Sequence, residues 1–186
     1  MLDELYSARL LLRPFGVDDA EALFRLRSDP DQMYYLDREP MRTAGEAAEM
    51  IAKMQDDGLN GTGYNWALEE KPCSGMIGYA GIWRIDQKNS RGEIGYMLGK
   101  TYQGKGLMTE ALVSVLRFGF TRAGLHSVEA NVNPGNDRSI RLLERCGFVR
   151  EAYFRENYYF EGKFLDTAVY SLLSADFKYQ DLPVSA

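Results

Sequence analysis

The chain has 186 residues, of which 45% are hydrophobic, so we expect one domain over residues 1–186 with a core at about 6–173 and a short C-terminal tail. Its 22 basic and 27 acidic residues give a net charge of −5 without a basic run, which argues against non-specific nucleic-acid binding. The absence of a long apolar stretch, and of any metal-binding or disulfide cysteine motif, predicts a cytoplasmic protein without membrane contact or metal site.

The hydrophobic periodicity predicts the following elements in chain order. A strand at 8–12 is ended by Pro14, and a helix at 18–27 is stopped by Pro30. Thr43 and Glu46 form a capping box for a helix that ends near Gly58. The remaining elements are strands at 64–69, 76–85 and 93–98, a helix from 106, a strand at 127–132, a helix at 136–145 and a hairpin of 153–160 with 164–173. This order predicts an α/β (α+β) fold with a single central mixed, mostly antiparallel sheet.

A glycine-containing turn joins the strand at 93–98 to the helix that starts near Gly106. Its sequence over residues 102–109 is Tyr-Gln-Gly-Lys-Gly-Leu-Met-Thr. Glycine lets a ligand approach the backbone, and the first N–H groups of a helix are unpaired. A strand, a glycine turn and a helix N-terminus together predict a site for a phosphate-bearing ligand. A plain turn, with glycines for tightness, is the alternative.

Two nucleotide-binding motifs fit this turn poorly. Residues 99–101, Gly-Lys-Thr, resemble the end of a Walker A loop, but its first glycine position is Ile94. Gly104 and Gly106 begin a dinucleotide fingerprint, but its third glycine position is Thr109. ATP and NAD are therefore disfavoured as ligands.

A third pattern fits better. Residues 103–108, Gln-Gly-Lys-Gly-Leu-Met, resemble the Q/R-x-x-G-x-G/A loop of the Gcn5-related N-acetyltransferase (GNAT) family. Met108 stands where the wider family has Gly or Ala, although the branch with the ribosomal-protein N-terminal acetyltransferases often carries Met. The resemblance covers Tyr6–Leu173, nearly the whole chain. Its other segments, which resemble that branch, are residues 8–15, Glu93–Tyr96, Gly106–Ala111, Asn136–Ser139, Cys146–Phe148 and Asp166–Leu172.

The resemblance implies a GNAT fold, with helices on both faces of the sheet. Two splayed parallel strands, 93–98 and 127–132, are then expected to bind acetyl-CoA. Met97 and Leu98 are expected to pair with the pantetheine amides and to polarise the thioester carbonyl. Asn136 is expected to contact coenzyme A. The residues expected to bind the pyrophosphate, mainly through backbone N–H groups, are Gln103, Gly104, Lys105, Gly106, Leu107, Met108 and Thr109.

The same resemblance suggests two catalytic residues, Glu93 and Ser139. Glu93 is expected to accept the proton that the amine loses, with a solvated strand residue as the alternative. Ser139 matches a serine that the ribosomal branch is thought to use near the sulfur, although Asn136 and Ser139 also suit helix capping. Many family members carry a proton-donating tyrosine at a position that is Leu143 here. The single histidine, His126, is interpreted as structural.

The acceptor is the least constrained part of the prediction. By resemblance its pocket is framed by residues 28–43 and 153–164, where carboxylates lie among aromatic residues. This composition suits a cationic amine, but also a solvated rim or a homodimer contact. We expect acetyl transfer by direct attack in a ternary complex, onto a protein N-terminus or onto a polyamine, amino acid or antibiotic. A non-catalytic acyl-CoA sensor on the same fold is an alternative. The carboxylates are Asp29, Asp31, Asp37, Glu39 and Glu156.

Overall fold

The computed structural model describes residues 2–72 and 75–178, so Cys73 and the predicted tail after Lys178 lie outside the described ranges. The strands are β1 (Leu5–Tyr6), β2 (Leu10–Pro14), β3 (Tyr64–Glu70), β4 (Met76–Asp86), β5 (Arg91–Leu98), β6 (Ser127–Val132), β7 (Val149–Phe160) and β8 (Lys163–Leu173). The helices are α1 (Ala20–Arg27), α2 (Pro30–Met33), α3 (Ala44–Asn60), α4 (Leu107–Thr121) and α5 (Asp137–Arg145). None of the helices in these ranges is long and apolar enough to cross a membrane.

Local sequence signals set most of the helix ends. The Thr43 hydroxyl accepts the Glu46 N–H at 3.2 Å and caps α3, as predicted. Pro30 follows the end of α1 and begins α2, where its missing N–H has no intrahelical partner to lose. The sequence predicted an end of α3 near Gly58, and the helix continues two residues further, to Asn60. It stops at Gly61, whose φ of 68° is a left-handed conformation that glycine adopts without strain.

The eight strands of the described chain form one sheet in the order β1-β2-β3-β4-β5-β6-β8-β7. All neighbouring strands are antiparallel except β5 and β6, which confirms the predicted mixed, mostly antiparallel sheet. One apolar cluster, around Trp66 and Leu112, packs the sheet against α4 and α5. A second, around Leu23 and Ile51, packs the opposite face against α1 and α3. Helices therefore cover both faces.

The parallel pair separates soon after it forms. β5 and β6 pair only at Arg91–Glu93 with Ser127–Glu129, in register. Beyond these positions β5 continues to Leu98 against β4, and β6 continues to Val132 against β8. The outer strands hold the two apart, and a wedge-shaped gap opens after Glu93. This gap is the splay that the family resemblance implies.

Candidate active site

The turn between β5 and α4 has the geometry of an anion site. Gly104 and Gly106 have φ angles of 76° and 80°, which side-chain-bearing residues rarely adopt. A Cβ on Gly104 would meet nothing within 4 Å, so the outer surface of the turn is open. The amides of residues 107–109 form the first turn of α4 and have no partner inside the helix. These amides and the positive end of the helix dipole fit a pyrophosphate.

The side chains of the turn brace its backbone. Gln103 Nε2 donates to the Leu98 carbonyl at 2.8 Å, and Arg138 on α5 donates to Gln103 Oε1 at 3.1 Å. Lys105 Nζ lies 5.7 Å from the centre of the Tyr102 ring. Arg138 thus places a cation beside the turn, although it received no role when its segment was compared with the family.

The family departure at Met108 leaves the anion site intact. Its side chain is buried in the core beneath α4, together with those of Leu107 and Thr109. A larger side chain there points away from the open surface of the turn, and the backbone amide stays in the first turn of the helix.

The edge of β5 offers peptide groups to the gap. The Gly99 N–H donates to the Ile77 carbonyl on β4 at 2.9 Å. Peptide groups alternate in direction along a strand, so those of Met97 also point to β4, and those of Tyr96 and Leu98 point into the gap. An extended chain with amide groups can pair along such an edge. This favours Leu98 as a pantetheine partner, whereas the pairing predicted for Met97 stays a prediction.

Glu93 lies at the closed end of the gap, at the last paired position of β5 and β6. Its side chain is 11% exposed, and its Oε2 accepts from Arg84 at 2.8 Å. Arg84, which the sequence did not single out, lies where the β4–β5 register shifts and has a φ of 50°. The ion pair orients the carboxylate and leaves Oε1 outside that contact.

Trp83 is the neighbour of Glu93 in the β4–β5 register, and its indole ring lies over the adjacent Gly95. A Cβ on Gly95 would lie 1.7 Å from the Trp83 ring, so only glycine lets the indole cover this position. Glu93, Gly95 and Met97 share the sheet face that packs against α1 and α3, because side chains alternate along a strand. An aromatic surface next to a carboxylate is favourable for an ammonium group.

Asn136 and Ser139 begin α5 on the opposite side of the gap. Asn136 Oδ1 accepts the Ser139 N–H at 3.1 Å, so Asn136 is the helix cap, and its contact with coenzyme A stays a prediction. The Ser139 hydroxyl lies 2.7 Å from that of Tyr96. Burial raises the pKa of the Tyr96 phenol well above its ordinary value. Leu143, at the position where many family members carry a tyrosine, is fully buried and cannot donate a proton. The hydroxyl groups near this end of α5 that contact each other are those of Tyr96 and Ser139.

The two segments predicted to frame the acceptor meet at the wide end of the gap. The Tyr158 hydroxyl on β7 donates to the Asp37 carbonyl at 3.0 Å. Asn133, just after β6, donates to both carboxylate oxygens of Asp37 at 3.2 and 3.3 Å. Asn133 directly follows β6, so its hydrogen bonds hold Asp37 near the end of this strand.

Two of the other carboxylates predicted for this region form ion pairs with a lysine, and two more are exposed. Asp29 and Asp31 each pair with Lys100 at 2.8 Å and connect α2 to the residues that precede the glycine turn. Glu39 and Glu156 are exposed. Asp37 is therefore the predicted carboxylate that hydrogen bonds hold at the gap.

The predicted absence of a metal site and the predicted structural role of the single histidine both stay predictions. Among residues 2–72 and 75–178, no three His, Cys, Asp or Glu side chains are grouped to hold a metal ion. His126 precedes β6, and its backbone pairs with Ser90 and Ser174.

Known proteins resemble this chain in sequence and in structure. Residues 9–149 match the family model of the Acetyltransferase (GNAT) domain. Uncharacterized N-acetyltransferase p20 of Bacillus licheniformis is 35% identical over 176 residues, 95% of this chain and 99% of that protein. The ribosomal protein uS5-alanine N-acetyltransferase of Escherichia coli (strain K12) is 37% identical over 81 residues, 44% of this chain and 42% of that protein.

The fold has counterparts among solved structures. Spermidine N-acetyltransferase from Vibrio cholerae, crystallised with CoA and spermine, superposes with a TM-score of 0.82 at 23% identity, over 94% of this chain and 100% of that chain. The matched family region contains the gap, the glycine turn and the start of α5. The chain therefore belongs to the GNAT family and is an N-acetyltransferase that uses acetyl-CoA.

Proposed function

We propose that this enzyme acetylates a primary amine by direct attack within a ternary complex, and that the acceptor is a protein N-terminal α-amino group. The observation that carries the proposal is the gap between β5 and β6, with Glu93 at its closed end. The donor enters along the glycine turn and the open edge of β5. The amine approaches from the face covered by α1 and α3, where Trp83 and Glu93 lie.

The donor site uses the backbone more than side chains. We assign the pyrophosphate to the amides of residues 104–109 and the pantetheine to the open edge of β5 at Leu98. Gln103 supports the turn through its hydrogen bond to Leu98. Arg138 adds positive charge beside it, and Asn136 lies across the gap at the start of α5.

The proton from the amine is assigned to Glu93, directly or through one water molecule. An α-amino group has a reference pKa of about 7.7–8.0, against about 10.4 for a lysine, so more of it is already neutral near pH 7. A carboxylate held by Arg84 is therefore an adequate acceptor for an N-terminus. Ser139 is assigned to the departing sulfur on the other face of the sheet.

The segments that frame the proposed acceptor site carry exposed aromatic side chains, here called the aromatic rim, and this exposure supports a protein substrate. Tyr34, Tyr159 and Phe164 are 72%, 62% and 63% exposed. Sites for small molecules typically bury about 70–90% of the ligand surface. A peptide needs only its first residue inside the gap, because the rest of its chain can lie on the exposed aromatic rim. The Escherichia coli relative is named for the same kind of acceptor, a ribosomal-protein alanine.

A small polyamine is the second candidate, and Asp37 favours it. The Asp37 carboxylate accepts from the neutral amide of Asn133, whereas Glu93 is paired with an arginine. A carboxylate bound by an amide keeps its negative charge uncompensated and attracts an ammonium group. The Vibrio cholerae protein was crystallised with spermine.

A thiol-release assay separates the two acceptors. The panel contains peptides that begin with Ala, Ser or Met, the same peptides with blocked N-termini, and spermidine, spermine and free lysine. We expect the free N-terminal peptides to have the highest kcat/KM and the blocked ones to be inactive. A higher kcat/KM for the polyamines would establish the second candidate. Failure of every amine at saturating acetyl-CoA would refute both.

We further infer that residues 1–186 form one domain located in the cytoplasm. Both apolar clusters pack against one sheet, which supports a single cooperative unit. Cys146 is a free, buried thiol, and burial raises its pKa to about 12, which suits a structural residue in a reducing compartment. One calorimetric transition and recovery in the cytoplasmic fraction of cells are the expected results.

A further inference from the structure

The hydrogen bond between Tyr96 and Ser139 indicates a role for Tyr96 that rests on the proposed function. Tyr96 lies on β5, and Ser139 lies in the first turn of α5, which follows β6. Their hydroxyl oxygens are 2.7 Å apart, so the bond joins the two sides of the gap beyond the last strand pairing. Both side chains are partly buried. The contact therefore lies where the sequence resemblance expects the thioester.

The direction of this hydrogen bond decides what Ser139 can do. Each hydroxyl has one hydrogen to donate and can also accept. If Ser139 donates to Tyr96, its hydrogen is used. If Tyr96 donates, Ser139 keeps its hydrogen for a second partner. A phenol is the more acidic of the two groups and hence the stronger donor, so the second arrangement is favoured.

The surroundings keep the Tyr96 phenol protonated. Burial raises its pKa, the nearby Cys146 adds to the effect, and the hydrogen bond with Ser139 opposes it only in part. Cys146 is itself buried, with a pKa of about 12, so Cys146 and Tyr96 are both neutral near pH 7. Glu93 lies on the opposite face, because residues 93 and 96 of β5 differ in parity.

We propose that Tyr96 is a positioning residue that donates to Ser139 and thereby turns the Ser139 hydroxyl toward the sulfur of acetyl-CoA. As the amine nitrogen bonds to the acetyl carbon, the C–S bond breaks and its electron pair stays on sulfur. Ser139 donates a hydrogen bond to this thiolate. The amine proton passes to Glu93 and then to solvent, the thiolate takes a proton from solvent, and neither hydroxyl changes its protonation state.

Binding of the product separates this role from a structural one. The variants are Tyr96→Phe, Ser139→Ala and the double variant, each titrated with CoA and with desulfo-CoA, which lacks the sulfur. The assay is run at pH 9.5, above the reference pKa of about 8.5 for a thiol. We expect wild type to prefer CoA, and each single variant to lose about fivefold or more of this preference. The double variant should lose no more than either single one.

Kinetics give the second measurement. Tyr96→Phe should lower kcat about tenfold with little change in the KM for acetyl-CoA, since the bond acts on the departing sulfur. Tyr64→Phe is the matched control, because Tyr64 is another partly buried tyrosine and packs on Phe118, away from the gap. It should change neither kcat nor the preference for CoA.

Three outcomes are decisive. A wild-type preference for CoA in Tyr96→Phe would overturn the inference. The inference would also be overturned if Tyr96→Phe lowered the preference for CoA by the same factor in the Ser139→Ala variant as in wild type. A purely structural defect acts in both backgrounds, so its effect would add to that of Ser139→Ala. Failure of wild type to bind either CoA or desulfo-CoA would contradict the proposed donor site instead.

Discussion

The two halves of the gap between β5 and β6 present different chemical groups, backbone amides in one half and side chains in the other. The half that we assign to the donor, here the donor half, consists of the β5 edge and the glycine turn, and it offers mainly backbone amides held in place by buried side chains at residues 107–109. The half that we assign to the acceptor, here the acceptor half, consists of residues 34–43 and the hairpin of β7 and β8, and it offers exposed side chains. Backbone recognition depends on spacing and conformation, so it tolerates sequence change. Side-chain recognition changes with every substitution, which lets one fold serve many amines.

Removing the proposed base should have the largest effect, because it affects the point where the halves meet. Glu93→Gln keeps the shape of the side chain but cannot accept a proton, so kcat should fall by about 100-fold or more. The KM for acetyl-CoA should hardly change. Steady-state kinetics from pH 6 to 9 measure both quantities.

The control for this prediction is Glu129→Gln. Glu129 faces Glu93 in the strand register and pairs with Arg91. It should retain most of the activity. An unshifted pH–rate profile in Glu93→Gln, with kcat near that of wild type, would remove Glu93 from the mechanism.

A charge placed in the glycine turn tests the donor half alone. Gly106→Asp strains a residue whose φ is 80° and adds negative charge where the pyrophosphate is expected. The dissociation constant for acetyl-CoA should rise about 100-fold, equivalent to about 2.7 kcal/mol. Calorimetric titration measures it.

Gly162→Asp provides the matched control for the turn. Gly162 joins β7 to β8 and has the same φ of 80°, so it carries the same backbone strain outside the donor half. Its affinity for acetyl-CoA should equal that of wild type. Equal weakening in both variants would point to a global effect of strain.

Asp37→Asn tests the acceptor half and should have a smaller effect. Asn tolerates the left-handed φ of 51° at this position, so the change removes charge with little strain. The KM for a polyamine should rise about tenfold, because an ammonium would lose its partner carboxylate. The KM for acetyl-CoA should stay constant.

Glu39→Gln is the control in the same segment. Glu39 is exposed and lies 3.9 Å from Arg42, so its loss should leave both KM values unchanged. If Asp37→Asn leaves the KM of every accepted amine unchanged, Asp37 only supports the loop.

The smallest effect on activity is expected outside both halves, at Asp19, which directly precedes α1 and pairs with Arg13 on β2. Burial would raise the pKa of Asp19, but hydrogen bonds from Arg13 and Gly16 outweigh it and lower that pKa. A lowered pKa in the folded state stabilises the protein above the unfolded value of about 3.9, and this stabilisation is lost as the pH falls through the folded value. Asp19→Asn should therefore cost about 2 kcal/mol at pH 7 and less near pH 3. Urea unfolding at both pH values measures the difference, and an equal cost at both would contradict it.

The donor half is built from local sequence features to a greater extent than the acceptor half. The glycine turn, the helix after it and the Asn136 cap are local features, with spacing that is read directly along the chain. The sequence did not predict a place for Trp83 and Arg84 at the gap. These residues lie at a register shift between β4 and β5, and no local sequence pattern predicts such a shift. Tyr96 was part of a quoted motif but received no role. Its partner, Ser139, lies 43 positions away and meets it only in the folded protein.

By itself, the sequence determined the element order and the glycine turn, because helix caps, glycine positions and strand alternation are short-range properties of the backbone, and its resemblance to known motifs indicated the family. Only the tertiary structure decided which side chains meet across the gap. The positions of β4 and β8 separate β5 from β6 after Glu93, and that separation brings Tyr96 to Ser139 and Asp37 to Asn133. Such contacts depend on the packing of distant segments, so no local spacing encodes them.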